Sequence, residues 1–228
     1  MQNYLRTNMM SLCFSGCSIT YGDELNRRLD ERYSTLVSNH YGCNHVNISQ
    51  CGISNDNIVR NTIKYLQGSK PDIVIIQYTV HPRFEYYEAK KDPVRFTPQP
   101  IFIPSRLQTA HKKYYTIVYN DVIGAENLWK NIFLFDSYCK SVGQKYVSLI
   151  GDHFERIIVK PNLFYKGGHE GYWRSMCKDY NPVYIQKHLL GTEFEHPENY
   201  AQGRNGGHPS KEGHKEMANK TIELIDAI

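Results

Sequence analysis

The chain has 228 residues, 40% hydrophobic and 22% charged, which suits one large globular domain and excludes wholesale disorder. Twenty-seven Lys and Arg against 23 Asp and Glu leave a net charge of +4, and no basic stripe of the kind that tracks nucleic acid is present. A chain of this length buries roughly 70% of its unfolded surface, so folding requires neither a metal nor a disulfide staple.

In chain order, short apolar runs alternate with helical periods, the pattern of βαβ units and a largely parallel sheet. The first predicted strand is Ser11–Ser15, ended by Gly16. Ser34 caps a helix that runs to Tyr41 and stops at Gly42. The second strand covers Asn44–Ser49, and Ser54 or Asn55 caps a helix with the stripe Ile58, Val59, Ile63 and Leu66. Asp72–Tyr78 is a continuous apolar run, as expected of a strand covered on both faces. A longer helix from about Ala125 to Val142 carries Leu128, Ile132, Phe135 and Cys139 on one face. The fourth strand is Lys145–Ile150, and a last helix runs from about Lys211 to Ala227.

Two stretches break this rhythm. Residues 82–124 hold Pro82, Pro93, Pro98, Pro100 and Pro104 among many aromatics, and residues 152–204 are rich in Gly, His, Tyr and Asn. Each follows the C-terminal end of a predicted parallel strand, where open α/β sheets place their ligand crevice. Both read as insertions that shape a pocket within a single domain spanning residues 1–228. Eighteen tyrosines stand out in the composition and suit either sugar contacts or half-wet loops. Six cysteines without a CxxC pair read as reduced thiols. Met1 to Asn8 is polar and no run reaches 18 apolar residues, so the expectation is a soluble cytoplasmic protein with no membrane partner.

Three segments carry chemistry. In Gly16-Cys17-Ser18, a strand runs into a tight turn that can expose the Ser18 hydroxyl as a nucleophile or merely use it as a cap. Gly52 stands at a strand-to-helix junction, where a missing Cβ lets a backbone N–H face a ligand or simply permits a left-handed turn. His208 precedes a proline expected at the first position of the last helix, which would fix the imidazole beside the strand ends as a proton acceptor. A lone surface histidine is the alternative, and His214 reads as one. No HExxH, GxxxxGK[ST] or GxGxxG pattern is present, so no metal or organic cofactor is expected.

Read in order, these segments resemble the SGNH (GDSL-like) hydrolase superfamily: Gly16-Cys17-Ser18 matches its nucleophile block, Gly52 its oxyanion glycine, and His208 in Gly-Gly-His-Pro its base. The resemblance implies a flavodoxin-like three-layer α/β/α sandwich with a mostly parallel central sheet. It also implies a serine esterase that removes an acyl group, acetyl foremost, from a carbohydrate or similar small polar ester. The N–H groups of Ser18 and Gly52 would bind the oxyanion. Where the family has an oxyanion Asn after the third strand, this chain offers Thr79, with Gln77 or a two-donor hole as alternatives; losing one such donor typically costs about 3 kcal/mol. Where the family has Asp three residues before its histidine, the chain has Asn205. An amide can orient imidazole without stabilising imidazolium, and such a change lowers kcat by about 10⁴ in a related triad. Asp152, at the end of the fourth strand, is a replacement candidate. Arg83 suits a substrate carboxylate or a surface salt bridge. The rival reading is a catalytically weakened or inactive binding or structural module on the same scaffold; by analogy with virus-encoded SGNH-like proteins, a viral source and a place in the virion are the companion expectation.

Overall fold

In the computed structural model, which describes residues 10–87, 94–97, 103–151, 183–184 and 208–228, the apolar run predicted as the first strand becomes β1 (Ser11–Ser15). It pairs in parallel with β2 (Asn44–Asn47) on one side and with β3 (Ile73–Tyr78) on the other, Leu12 lying opposite both His45 and Ile73. β3 pairs with β6 (Lys145–Ile150), which pairs with the short β7 (Val183–Tyr184), again in parallel. The order β2-β1-β3-β6-β7 therefore reverses direction at β1 and β3, and the strand ends there border a topological switch point.

Side chains alternate across this sheet and feed two cores. Cys13, Val74, Ile76 and Ile150 pack with α4 (Asn55–Gly68) and α6 (Asp121–Val142), through Ile58, Leu66, Leu128 and Ile132. Leu12, Phe14, Ile73, Ile75 and Leu149 pack on the opposite face with Val37 of α3 (Tyr33–Tyr41) and Met217, Ala218 and Ile225 of the last helix, α7 (Lys211–Asp226). The three-layer α/β/α sandwich expected from the sequence is the observed architecture. All six β3 residues are buried, as a strand between two helical layers requires, and each fully buried Ile contributes roughly 1.5–3 kcal/mol.

Some boundaries differ from the reading, each for a local reason. α6 starts at Asp121 because Asn120 caps it, its Oδ1 accepting the Ile123 N–H at 2.9 Å. α7 is capped by Ser210, whose Oγ accepts the Gly213 N–H at 3.1 Å. Pro209 therefore precedes the cap and does not occupy the first helical position. The stretch 82–124 is more regular than a loop-rich insertion. It contains an antiparallel hairpin of β4 (Phe84–Tyr86) and β5 (Val94–Phe96), then α5 (Gln108–Lys113), which runs on through a π-helical turn (Tyr114–Val118). Phe96, Ile103 and Leu107 give this unit its own small core, and buried Glu85 pins it to α4 through Asn57 and a 3.0 Å ion pair with Arg60. Most of 152–204 lies outside the described residues. Among the described residues, no helix is long and apolar enough to cross a membrane.

Candidate active site

β1 delivers Ser18 through a turn that only glycine fits at residue 16. A Cβ there would stand 2.2 Å from Thr20 Oγ1 and 3.1 Å from Gln77 Cβ. The chain then forms the short helix α1 (Ser18–Tyr21), with Ser18 buried at its first position, not exposed by the turn, and Gly22 closing the helix in the left-handed conformation. As a first-turn residue Ser18 has no intrahelical acceptor for its N–H. The turn is braced from within. Buried Thr20 donates to Gln77 Oε1 and lies 3.1 Å from the Tyr33 hydroxyl, and Asn47 Nδ2 donates to the Thr20 carbonyl at 2.9 Å.

The β1–β2 ladder continues past the strands, towards Ser18 on one side and Gly52 on the other. The Ile48 N–H donates to the Phe14 carbonyl at 2.8 Å, and the Gln50 N–H to the Gly16 carbonyl at 3.1 Å. The two backbones thus leave the sheet side by side, one towards Ser18 and the other towards Gly52. Gly52 has φ +72°, and an added Cβ would meet nothing within 4 Å, so backbone conformation, not space, demands glycine. Arg95 of β5 reaches this loop, donating from Nη1 to the Cys51 carbonyl at 2.7 Å and from Nη2 to Gln50 Oε1 at 2.8 Å. That carbonyl belongs to the same peptide unit as the Gly52 N–H. In a trans peptide the two groups point in opposite directions, so Arg95 fixes where the N–H faces. Thr79, one residue past β3, is buried, and its N–H and C=O are both held by the Asn55 side chain, at 2.8 and 3.0 Å.

His208 lies just before the Ser210 cap, with its side chain 21% exposed. Its Nδ1 stands 3.4 Å from Oε1 of Glu24, a carboxylate only 8% exposed that sequence reading missed. Glu24 lies six residues past Ser18, outside the Gly16-Cys17-Ser18 motif. The Asp23 carboxylate lies near the Cys51 thiol, and burial together with that negative charge pushes the thiol up to about 11. The N–H groups of Gly22 and Asp23 meanwhile donate to the Ser18 carbonyl, both at 3.0 Å. The segment Gly22–Glu24 therefore bonds the Ser18 carbonyl, lies near Cys51 of the Gly52 loop and faces His208. No hydrogen bond joins Ser18 Oγ and the His208 ring directly.

The other predicted residues fall as follows. Gln77 is wholly interior, its Oε1 bonded to Thr20 and its Nε2 buried without a partner. Arg83 is half-buried in the turn after β3, with Nη1 enclosed and unpartnered. Asn205 and Asp152 lie outside the described residues. His214 is not the surface histidine its position suggested: it is fully buried in α7, and its Nδ1 accepts the Tyr33 N–H at 3.2 Å. Burial, reinforced by the positive charge His208 can carry, pushes it down to about 4.

No family model and no curated protein matches the chain in sequence. Solved structures do match it in fold. A protein of Desulfitobacterium hafniense DCB-2 assigned to the lipolytic G-D-S-L family aligns with a TM-score of 0.57 at 13% identity, over 94% of this chain and 99% of that one. The esterase EstA of a Pseudoalteromonas species, solved with monoethylphosphonate as inhibitor, gives 0.54 at 11% identity, over 95% and 97%. The acetylxylan esterase Axe2 of Geobacillus stearothermophilus gives 0.53 at 14% identity, over 94% and 93%. The fold is that of the SGNH, or G-D-S-L, hydrolases. At this identity the likeness extends to the fold and leaves the chemistry to be argued from the residues themselves.

Proposed function

We propose that the protein is a serine esterase that removes an acyl group, acetyl foremost, from a carbohydrate or similar small polar ester. Ser18 Oγ attacks the ester carbonyl while His208 takes its proton. The tetrahedral oxyanion is met by the N–H groups of Ser18 and Gly52, with the Thr79 hydroxyl as a third donor. Collapse of the intermediate breaks the C–O bond to the alcohol, which leaves with the proton from His208. Water, deprotonated by the same imidazole, then attacks the acyl-enzyme; the acid departs and Ser18 regains its proton. Asn205, three residues before the base, would assist in holding it.

The observation that carries this reading is the segment Gly22–Glu24, which bonds the Ser18 carbonyl, lies near Cys51 of the Gly52 loop and faces His208 at once. The fold shared with EstA and Axe2 supports it. A buried carboxylate beside His208 answers one motive of the inactive-module reading, the missing acid at position 205; the other, the missing oxyanion Asn after the third strand, rests on Thr79. The test is labelling with a serine-reactive fluorophosphonate, located by mass spectrometry, together with hydrolysis of p-nitrophenyl acetate. Modification confined to Ser18, and turnover lost in Ser18→Ala, are expected. An unmodified Ser18 with hydrolysis equal in both proteins would overturn the assignment.

A further inference from the structure

We propose that Glu24 is the positioning acid of this site. Its carboxylate orients the His208 ring and stabilises the imidazolium that forms, in place of an acid three residues before the histidine. The inference rests on the Ser18–His208 reading and deepens it.

Three observations converge on Glu24. The first is placement: Oε1 stands 3.4 Å from Nδ1, which leaves Nε2 as the nitrogen for the serine proton. A carboxylate on Nδ1 selects the tautomer in which Nε2 is an acceptor, which a general base requires. The second is complementarity. Glu24 Oε2 and His208 Nδ1 are both buried without a hydrogen-bond partner, the first an acceptor and the second a donor in the tautomer that carries its proton there. Buried polar atoms in this condition cost about 1–3 kcal/mol each, so two of opposite kind this close are mutually satisfying once the ring or carboxylate turns slightly.

The third is the backbone. Among the described residues Glu24 is the one non-glycine with positive φ, at +67°. An L-residue loses roughly 1–2 kcal/mol there, and such strain collects at functional positions. A loop built only for stability would place Gly or Asn at residue 24. The strained conformation lets consecutive acids serve opposite walls: Asp23 meets Cys51 beside the oxyanion glycine, and Glu24 meets His208. This is also why spacing conceals the acid. It lies six residues after the nucleophile and 184 before the base, on an element neither motif includes.

The experiment compares Glu24→Gln, Glu24→Asp and Asn205→Ala in the full chain, by p-nitrophenyl acetate kinetics and by proton NMR of the His208 ring. Glu24→Gln should lower kcat by about 10²–10⁴-fold with KM within about threefold, a transition-state loss in an isosteric variant. Glu24→Asp should recover part of that rate. The wild type should show a strongly deshielded His208 Nδ1–H proton, absent from Glu24→Gln and from His208→Ala. The proposal falls if that resonance is the same in Glu24→Gln, or if Asn205→Ala costs more activity than Glu24→Gln. A wild type without turnover sinks the esterase reading instead, and the resonance alone then decides whether Glu24 holds the ring.

Discussion

On the side of Ser18 and Gly52 the backbone is held at several points. The β1–β2 ladder extends through Gln50, Asn55 grips the Thr79 peptide with both ends of its amide, and Arg95 pins the Cys51 carbonyl. On the side of His208, among the described residues, the Glu24 side chain reaches the ring from across the chain. Backbone networks of this kind are cheap to specify locally, whereas an imidazole poised by one carboxylate depends on two segments arriving together. The oxyanion wall should therefore tolerate loss of one member by degrees, and the nucleophile–base wall should fail nearly all at once.

The largest effects test that second half. Ser18→Ala and His208→Ala should each lower kcat by about 10⁴–10⁶-fold, and the double variant should be little worse than either, because the two groups act as one unit. Additive losses would show that they work separately. Gly52→Ala probes the other wall. An added Cβ meets nothing, so any loss comes from the left-handed backbone, which costs about 1 kcal/mol of stability and turns the N–H off its aim. A kcat loss of about 10²-fold, with a urea midpoint only slightly lowered, is expected. A collapsed midpoint with unchanged kcat per folded molecule would place Gly52 outside the oxyanion hole.

These walls were unequally legible in the sequence. The strands and the parallel order could be read because strand-to-helix turns leave local marks, a glycine, a cap, an apolar run, and the same marks singled out Ser18, Gly52 and His208 as candidates. Glu24 left none, since its role comes from a left-handed residue meeting a helix end far along the chain. The run Tyr21-Gly-Asp-Glu24 behind the nucleophile, two acids straight after a helix-ending glycine, was the available clue. Arg95 escaped for another reason. The proline-rich insertion hides a three-residue hairpin strand whose partner is defined by register, Glu85 opposite Arg95, and not by pattern. His214 was misread because its neighbours Lys215 and Glu216 look solvated, while the helical period turns it inward beside Met217 and Ala218.

Burial of His214 makes the base side sensitive to pH. Its pKa in the folded protein is about 4, against an ordinary value near 6.5 in the unfolded chain, so below pH 6.5 the unfolded state binds the proton first. Stability contributed by the neutral ring is complete above that pH and is lost as pH falls towards 4, by about 2 kcal/mol between pH 7 and 5. Urea unfolding at the two pH values should show this slope, reduced in His214→Gln. The same slope in the variant would assign the acid sensitivity to another group.

The smallest expected effect is the most informative about the insertion. Arg95→Ala removes two hydrogen bonds from guanidinium to the Gln50–Cys51 segment but leaves Gly52 in place. A charged donor on a carbonyl polarises its peptide and strengthens the N–H on the far side, so the loss should be felt mainly in the transition state. About a tenfold drop in kcat is expected, with KM nearly unchanged and partial recovery in Arg95→Lys, which keeps the charge but supplies one direction of bonding in place of a planar fork. Were KM to rise with kcat intact, Arg95 would instead be shaping the substrate-binding surface. The hairpin's service would then be recognition of the alcohol, and the oxyanion wall would stand on the ladder and Asn55 alone.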